Sequence, residues 1–145
     1  MLPRFKNILV PVDLTPKNRA ALDIAFELAT ENKARVSLLH VTQTIDAVDQ
    51  QPDDETQAFY NRIQNRVQTD LESLSQRFAD AGLAVEVKVP LGQPLKEIVH
   101  FAESHQIDLI VMSSHPVNQA DLLQSWGTLS YKVSVACQCP ILLVK

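Results

Sequence analysis

Two short apolar runs constrain this fold more than any other feature. Asn7-Ile8-Leu9-Val10-Pro11-Val12 and Asp108-Leu109-Ile110-Val111-Met112 show no alternation between apolar and polar residues. A run of that length, apolar on both faces, reads as a strand covered on both sides, as in a parallel sheet. Helical periods lie between such runs. Thr15-Pro16 offers an N-cap followed by proline at the first helical position, and Ala21, Ile24, Ala25 and Leu28 follow at helical spacing. Val36, Leu38 and Leu39 carry a second strand from Ala34 to Val41, and the polar stretch from Thr42 to Glu55 reads as a surface loop.

Phe59, Ile63, Val67, Leu71, Leu74 and Phe78 recur at spacings of three and four, which predicts a long helix with this stripe in the core. Arg62, Arg66 and Arg77 then fall on its solvated face, and Gly82 is placed to end it. Val85, Val87 and Val89 alternate with Glu86 and Lys88, as in an edge strand with one wet face. Gly92-Gln93-Pro94 opens a third helix, with Leu95, Ile98, Val99 and Ala102 inward. Beyond Met112, a helix from Leu129 to Ala136 precedes a last strand, Pro140-Ile141-Leu142-Leu143-Val144.

Strands alternating with helices predict an α/β fold: a five-stranded parallel sheet with helices on both faces and right-handed crossovers. With 145 residues, no internal repeat and no linker, residues 1–145 form a single domain. A net charge of −4 argues against nucleic acid as a partner, because phosphate backbones reward a lysine and arginine surplus. No apolar run reaches the length of a membrane span, and no signal-peptide apolar segment follows Met1, so the expectation is a cytoplasmic protein with no membrane partner. Cys137 and Cys139 would point to opposite faces of a strand, which argues against a mutual disulfide and for reduced thiols. His40, His100 and His105 have no consistent ligand spacing, and no metal site is predicted.

In a doubly wound sheet, ligands bind outside the carboxyl ends of the strands, where strand order reverses. With the first and fourth strands as neighbours, the site is bounded by Pro11-Val12-Asp13 and the loop after Met112. Residues 111–128 have the outline of a strand, a phosphate loop and a helix start. Trp126 reads as an anchor for that loop. No G-x-x-x-x-G-K-S/T or G-x-S-x-G motif is present, so no catalytic residue is assigned and no enzyme is expected. A two-component receiver would want paired carboxylates after the first strand and an aspartate ending the third, where this chain has only Asp13 and Val89-Pro90.

The chain resembles the universal stress proteins over nearly its whole length. The resemblance rests on Asn7-Ile8-Leu9-Val10-Pro11-Val12-Asp13, Ala34 through His40-Val41, Gly92-Gln93-Pro94, Asp108-Leu109-Ile110-Val111-Met112 and Cys139-Pro140-Ile141-Leu142-Leu143-Val144, in that order. It implies the adenine nucleotide alpha hydrolase-like, Rossmann-like form of the fold. It also implies a homodimer, formed through the last strand from Pro140 to Val144. Many members bind ATP through G-x-x-G, nine residues, then G-S/T. Carried over, Asp13 and Val41 hold the adenosine, Met112 lies near the base, and Ser113, His115, Gly127, Thr128 and Leu129 form the phosphate end.

This chain departs from that pattern. Ser113 and Pro116 stand at the two glycine positions, and ten residues rather than nine separate Pro116 from Gly127. Proline has no N–H, so one phosphate donor is absent, while Ser113, Ser114 and His115 offer others. The adenosine half is retained and the triphosphate half damaged. The resemblance therefore implies a dimeric stress-response protein that acts through protein partners, with ATP binding weakened or lost. Its alternative is an adenine-nucleotide sensor that binds ATP, ADP or AMP.

Overall fold

The computed structural model describes residues 4–44, 53–114 and 128–145. β1 (Asn7–Pro11) leads through a 3-10 turn (Pro16–Asn18) into α1 (Arg19–Asn32), and β2 (Arg35–Leu39) follows. A short β3 (Thr42–Gln43), the long α2 (Asp54–Asp80), β4 (Val85–Lys88), a short β5 (Leu91–Gly92) and α3 (Pro94–Ser104) come next. β6 (Leu109–Ser113), α4 (Leu129–Ala136) and β7 (Ile141–Val144) end the chain.

Five strands form one parallel sheet in the order β4-β2-β1-β6-β7. The chain winds outward from β1 in both directions, so the expected neighbours β1 and β6 are paired and the alternating strand β4 is an edge. Successive strand residues point to opposite faces, which splits the apolar runs between two cores. Ile8, Val10, Val36, Leu38 and Val111 pack with Ala25 of α1 and with Val67, Leu71 and Phe78 of α2. Leu9, Leu39, Ile110 and Met112 pack on the other face with Ile98 and Phe101 of α3 and Val133 of α4. Helices cover both faces as expected, and the continuous runs are the residue pattern of that double burial. Asp108 ties the starts of β1 and β6 together, its carboxylate accepting from the N–H groups of Lys6 at 2.8 Å and Asn7 at 3.2 Å.

Gly82 ends α2 as expected, at φ +80°. Its N–H donates to the Ala79 carbonyl at 3.0 Å and that of Leu83 to Phe78 at 3.1 Å, the paired bonds of a Schellman motif. Lys33 after α1 and Gln106 after α3 take the same left-handed conformation, at φ +53° and +52°, without being glycine.

Several expectations are corrected. Residues 42–55 are not all loop. Thr42–Gln43 pairs with Leu91–Gly92, and Asp53 caps α2, its carboxylate accepting from the Thr56 N–H at 2.8 Å. The pair β3–β5 is set apart from β2–β4 next to Pro90, which has no N–H to give to a ladder. Thr15 does not cap α1 directly, because Pro16 starts the 3-10 turn. Phe59 is 52% exposed rather than core, since α2 runs on past the sheet that buries Val67 and Leu71. Arg77 is not simply solvated: its guanidinium lies 2.6 Å from Asp23 and 4.3 Å from the Phe26 ring centre. Cys137 and Cys139 are free thiols, half-buried against the second core.

Candidate functional site

Because β1 and β6 are neighbours from which the chain winds in opposite directions, a crevice opens at their carboxyl ends. A cavity of about 250 Å³ lies there. The end of β1 contributes Pro11, Val12 and Asp13, and the end of β2 contributes Leu39, His40 and Val41. Met112 and Ser113 of β6 face Thr128, Leu129 and Ser130 at the start of α4, and α3 closes the side with Pro94 and Ile98. Pro11, Val12, Asp13, Val41, Met112, Ser113, Thr128 and Leu129, all anticipated from sequence, are thus brought to one place. His115 and Gly127, with Pro116 and Trp126, lie outside the described residues.

Asp13 sits in a turn that the backbone does not adopt unaided. Its carboxylate Oδ1 accepts from the Thr15 N–H at 2.9 Å and the Thr15 hydroxyl at 2.8 Å, an Asx turn. Leu14, between them, has φ +62°, a strained value for a side chain branched at Cγ. What holds the turn is Asn18, 2% exposed, whose Oδ1 accepts from the Asp13 N–H at 2.7 Å.

His40 was missed in the sequence, where it was weighed only as a metal ligand. Its Nδ1 lies 2.6 Å from the Val12 carbonyl oxygen, so that nitrogen carries a proton and donates it to the carbonyl. No sequence signal marks a contact that spans from the end of β2 to the end of β1. Pro94, Ile98 and Ser130 were likewise unanticipated in the cavity, although Gly92-Gln93-Pro94 did mark where α3 enters.

At the phosphate end, Thr128 caps α4 with its hydroxyl 3.4 Å from the Tyr131 N–H. The first N–H groups of a helix have no partner within it and favour an anion. For α4 these are the groups of Leu129 and Ser130. Of the donors expected at Ser114, the backbone N–H is taken by the Val144 carbonyl at 2.8 Å. The Ser113 hydroxyl is buried at the cavity with no hydrogen-bond partner among the described residues. Among those residues no group of three or more histidine, cysteine or acidic side chains can hold a metal ion.

The family model of the universal stress proteins matches residues 4–145. The chain belongs to the universal stress protein family. The universal stress protein YxiE of Bacillus subtilis (strain 168) is 30% identical to it over 152 aligned positions, covering 97% of this chain and 99% of the relative. The solved structure of the hypothetical protein MJ0577 is 27% identical, covers 97% of this chain and 96% of its own, and superposes with a TM-score of 0.74. A crystal structure of a universal stress protein in complex with cAMP is 19% identical, with coverages of 97% and 96% and a TM-score of 0.69. The Rossmann-like α/β fold expected from the resemblance is the fold found. No helix among the described residues is long and apolar enough to cross a membrane.

Proposed function

We propose that this universal stress protein is a dimeric regulator whose cleft holds an adenosine or adenosine monophosphate moiety, and that it acts through protein partners rather than by catalysis. One observation carries the reading. The Ser113 hydroxyl is buried at the cleft without a partner among the described residues, and a buried polar group left unpaired there marks a place for a ligand's polar atom. In this reading Asp13 takes the ribose, and Val41 and Met112 are apolar walls for the base. The cavity of about 250 Å³ is of a size to take a nucleoside body. The cAMP bound by the related protein is an adenine nucleotide with one phosphate, in line with that size.

ATP itself is served less well. Pro116 offers no N–H, and that of Ser114 is committed to β7. The second reading, an ATP- or ADP-dependent sensor using the same cleft, is favoured by the open start of α4. A thermal melt with ATP, ADP and AMP, with and without magnesium, separates them. A ligand at a hundred times its Kd adds roughly 2.7 kcal/mol of stability. A shift with AMP that exceeds the shift with ATP supports the first reading, the reverse supports the second, and no shift with any of the three at millimolar concentration removes both.

For the dimer, β7 is one of the two edges of the sheet, unpaired among the described residues, and Leu142 and Leu143 are each 38% exposed on it. An apolar edge strand of this kind pairs readily with a second copy. A sedimentation mass of 16.2 kDa at micromolar concentration would sink the dimer, and about twice that supports it.

A further inference from the structure

Cys137 and Cys139 stand one residue apart before the amino end of β7, away from the cleft at the strands' carboxyl ends. On a strand they would point to opposite faces, as expected from the sequence, but neither lies in one. Cys137 caps α4, its N–H donating to the Val133 carbonyl at 2.9 Å, and β7 begins only at Ile141. Both cysteines pack against the same core, that of Leu9, Ile110 and Val133. Both also line one cavity of about 230 Å³, walled by Val99, Ala102, Ile107 and Glu103.

Two residue steps of extended chain span at most about 7 Å, which bounds the distance between the two Cα atoms. Thiols that close on one core are within reach of a single bridging atom, whose bonds to sulfur are each about 2.3 Å for a metal such as zinc. Burial pushes the Cys137 thiol up, and the Cys139 and Glu103 charges add to it, as neighbours do. Such a pair chelates a soft, thiophilic atom. Its surroundings select which. No third histidine, cysteine or acidic ligand completes a metal site among the described residues, so zinc, which asks for four donors, is not served. Two thiolates on a monovalent ion such as copper(I) would leave a negative charge between Glu103 and apolar walls, which is unfavourable. A trivalent arsenical with one organic group leaves no charge. Arsenic keeps its oxidation state and forms two As–S bonds, and its oxygen departs as water with the two thiol protons. The organic group has room, since an apolar cavity of about 150 Å³ already holds benzene.

We propose that Cys137 and Cys139 form a dithiol site for a monosubstituted trivalent arsenical, held as a neutral cyclic adduct with its organic group against Val99, Ala102 and Ile107. This does not depend on whether the cleft binds nucleotide.

The test titrates the reduced protein with phenylarsine oxide and reads intact mass together with the loss of free thiols. One arsenical per chain is expected, with both thiols consumed. Cys137→Ser and Cys139→Ser should each weaken binding by about a hundredfold or more, because the second As–S bond forms within the chain at high effective concentration. If a serine variant melts early, the alanine variant at that position replaces it. Methylarsine oxide, with no ring to bury, should bind about fivefold or more weaker than the phenyl compound. Two arsenicals per chain, one shared between two chains, or single-cysteine variants that bind as tightly as the parent would each overturn the site. Equal affinity for the methyl and phenyl compounds overturns the role given to the cavity.

Discussion

Ser113→Ala should raise the stability of the free protein and lower its affinity for adenine nucleotide. The opposite signs follow from one geometric fact, the burial of the Ser113 hydroxyl without a partner among the described residues. Leaving a buried hydroxyl unpaired costs about 1–3 kcal/mol, so its removal relieves that amount, less a smaller loss for the void of one oxygen. A net gain of about 1 kcal/mol is expected. For 145 residues that moves the melting temperature up by about 3 °C. In the complex the same hydroxyl contributes a hydrogen bond, and losing it costs about 0.5–1.5 kcal/mol to a neutral partner or 1.5–3 to a phosphate. The Kd for AMP should therefore rise by roughly two- to twelvefold in the first case and ten- to a hundredfold in the second. Isothermal titration with adenosine and AMP tells the two apart.

Thr42→Val supplies the internal control. The Thr42 hydroxyl is also buried without a partner among the described residues, but Thr42 does not line the cleft. That substitution keeps the side-chain shape and the β propensity, so it should stabilise by a similar amount and leave affinity alone. If Ser113→Ala melts lower than the parent, the hydroxyl has a partner and the reasoning is wrong. If affinity is unchanged, the hydroxyl does not face the ligand and the site is misplaced.

Three further outcomes are expected. Pro116→Gly restores one backbone donor, so affinity for ATP should rise about tenfold or more while that for AMP stays within about twofold, measured by titration against both. Lys33→Gly and Gln106→Gly each relieve a side chain held at positive φ in a helix-ending motif, against a larger unfolded-state entropy; each should raise stability by about 0.5–1 kcal/mol in urea unfolding. Burial pushes both the Cys137 and Cys139 thiols up from their ordinary range. Below that raised range the thiolate fraction stays under that of free cysteine, so iodoacetamide should alkylate both slowly at neutral pH and faster as the pH climbs.

The sheet was legible because its central strands are buried on both faces, and nothing but a run of apolar residues satisfies two cores at once. Ile8, Leu9, Val10, Ile110 and Val111 could not have been divided between cores by inspection, yet the run alone announced that both existed. Thr42–Gln43 and Leu91–Gly92 escaped notice because two residues carry no period. Phe59 misled for the opposite reason: the helical period is a property of α2 and continues after the sheet beneath it has ended. Lys33 and Gln106 stand where glycine is the usual signal, and tertiary packing of the following residue overrides that preference. His40 in the cleft and Asn18 beneath the Asp13 turn act by hydrogen bonds to main-chain atoms of Val12 and Asp13, contacts that depend on loop geometry and leave no pattern in composition or spacing.

On the proposed nucleotide reading, the two ends of the cleft differ in what sustains them. At the adenosine end, Pro11, Val41 and Met112 stand at or just beyond strand ends, where the pairing of β1 with β2 and β6 sets their positions. Any sequence that folds this way keeps that end. At the phosphate end, by contrast, the groups that matter are backbone N–H donors, and these are open to loss without harm to the fold. β7 takes one such group, that of Ser114, as part of ordinary pairing in the sheet. Pro116 lacks another by its chemistry. What is left at the described end is the start of α4, whose Leu129 and Ser130 donors suit one phosphate group better than a chain of three. Family membership and ligand preference are thus carried by different atoms: the first by side chains packed in two cores, the second by a few main-chain nitrogens. A chain can therefore keep the universal stress protein fold to its last strand and still change which nucleotide it answers to.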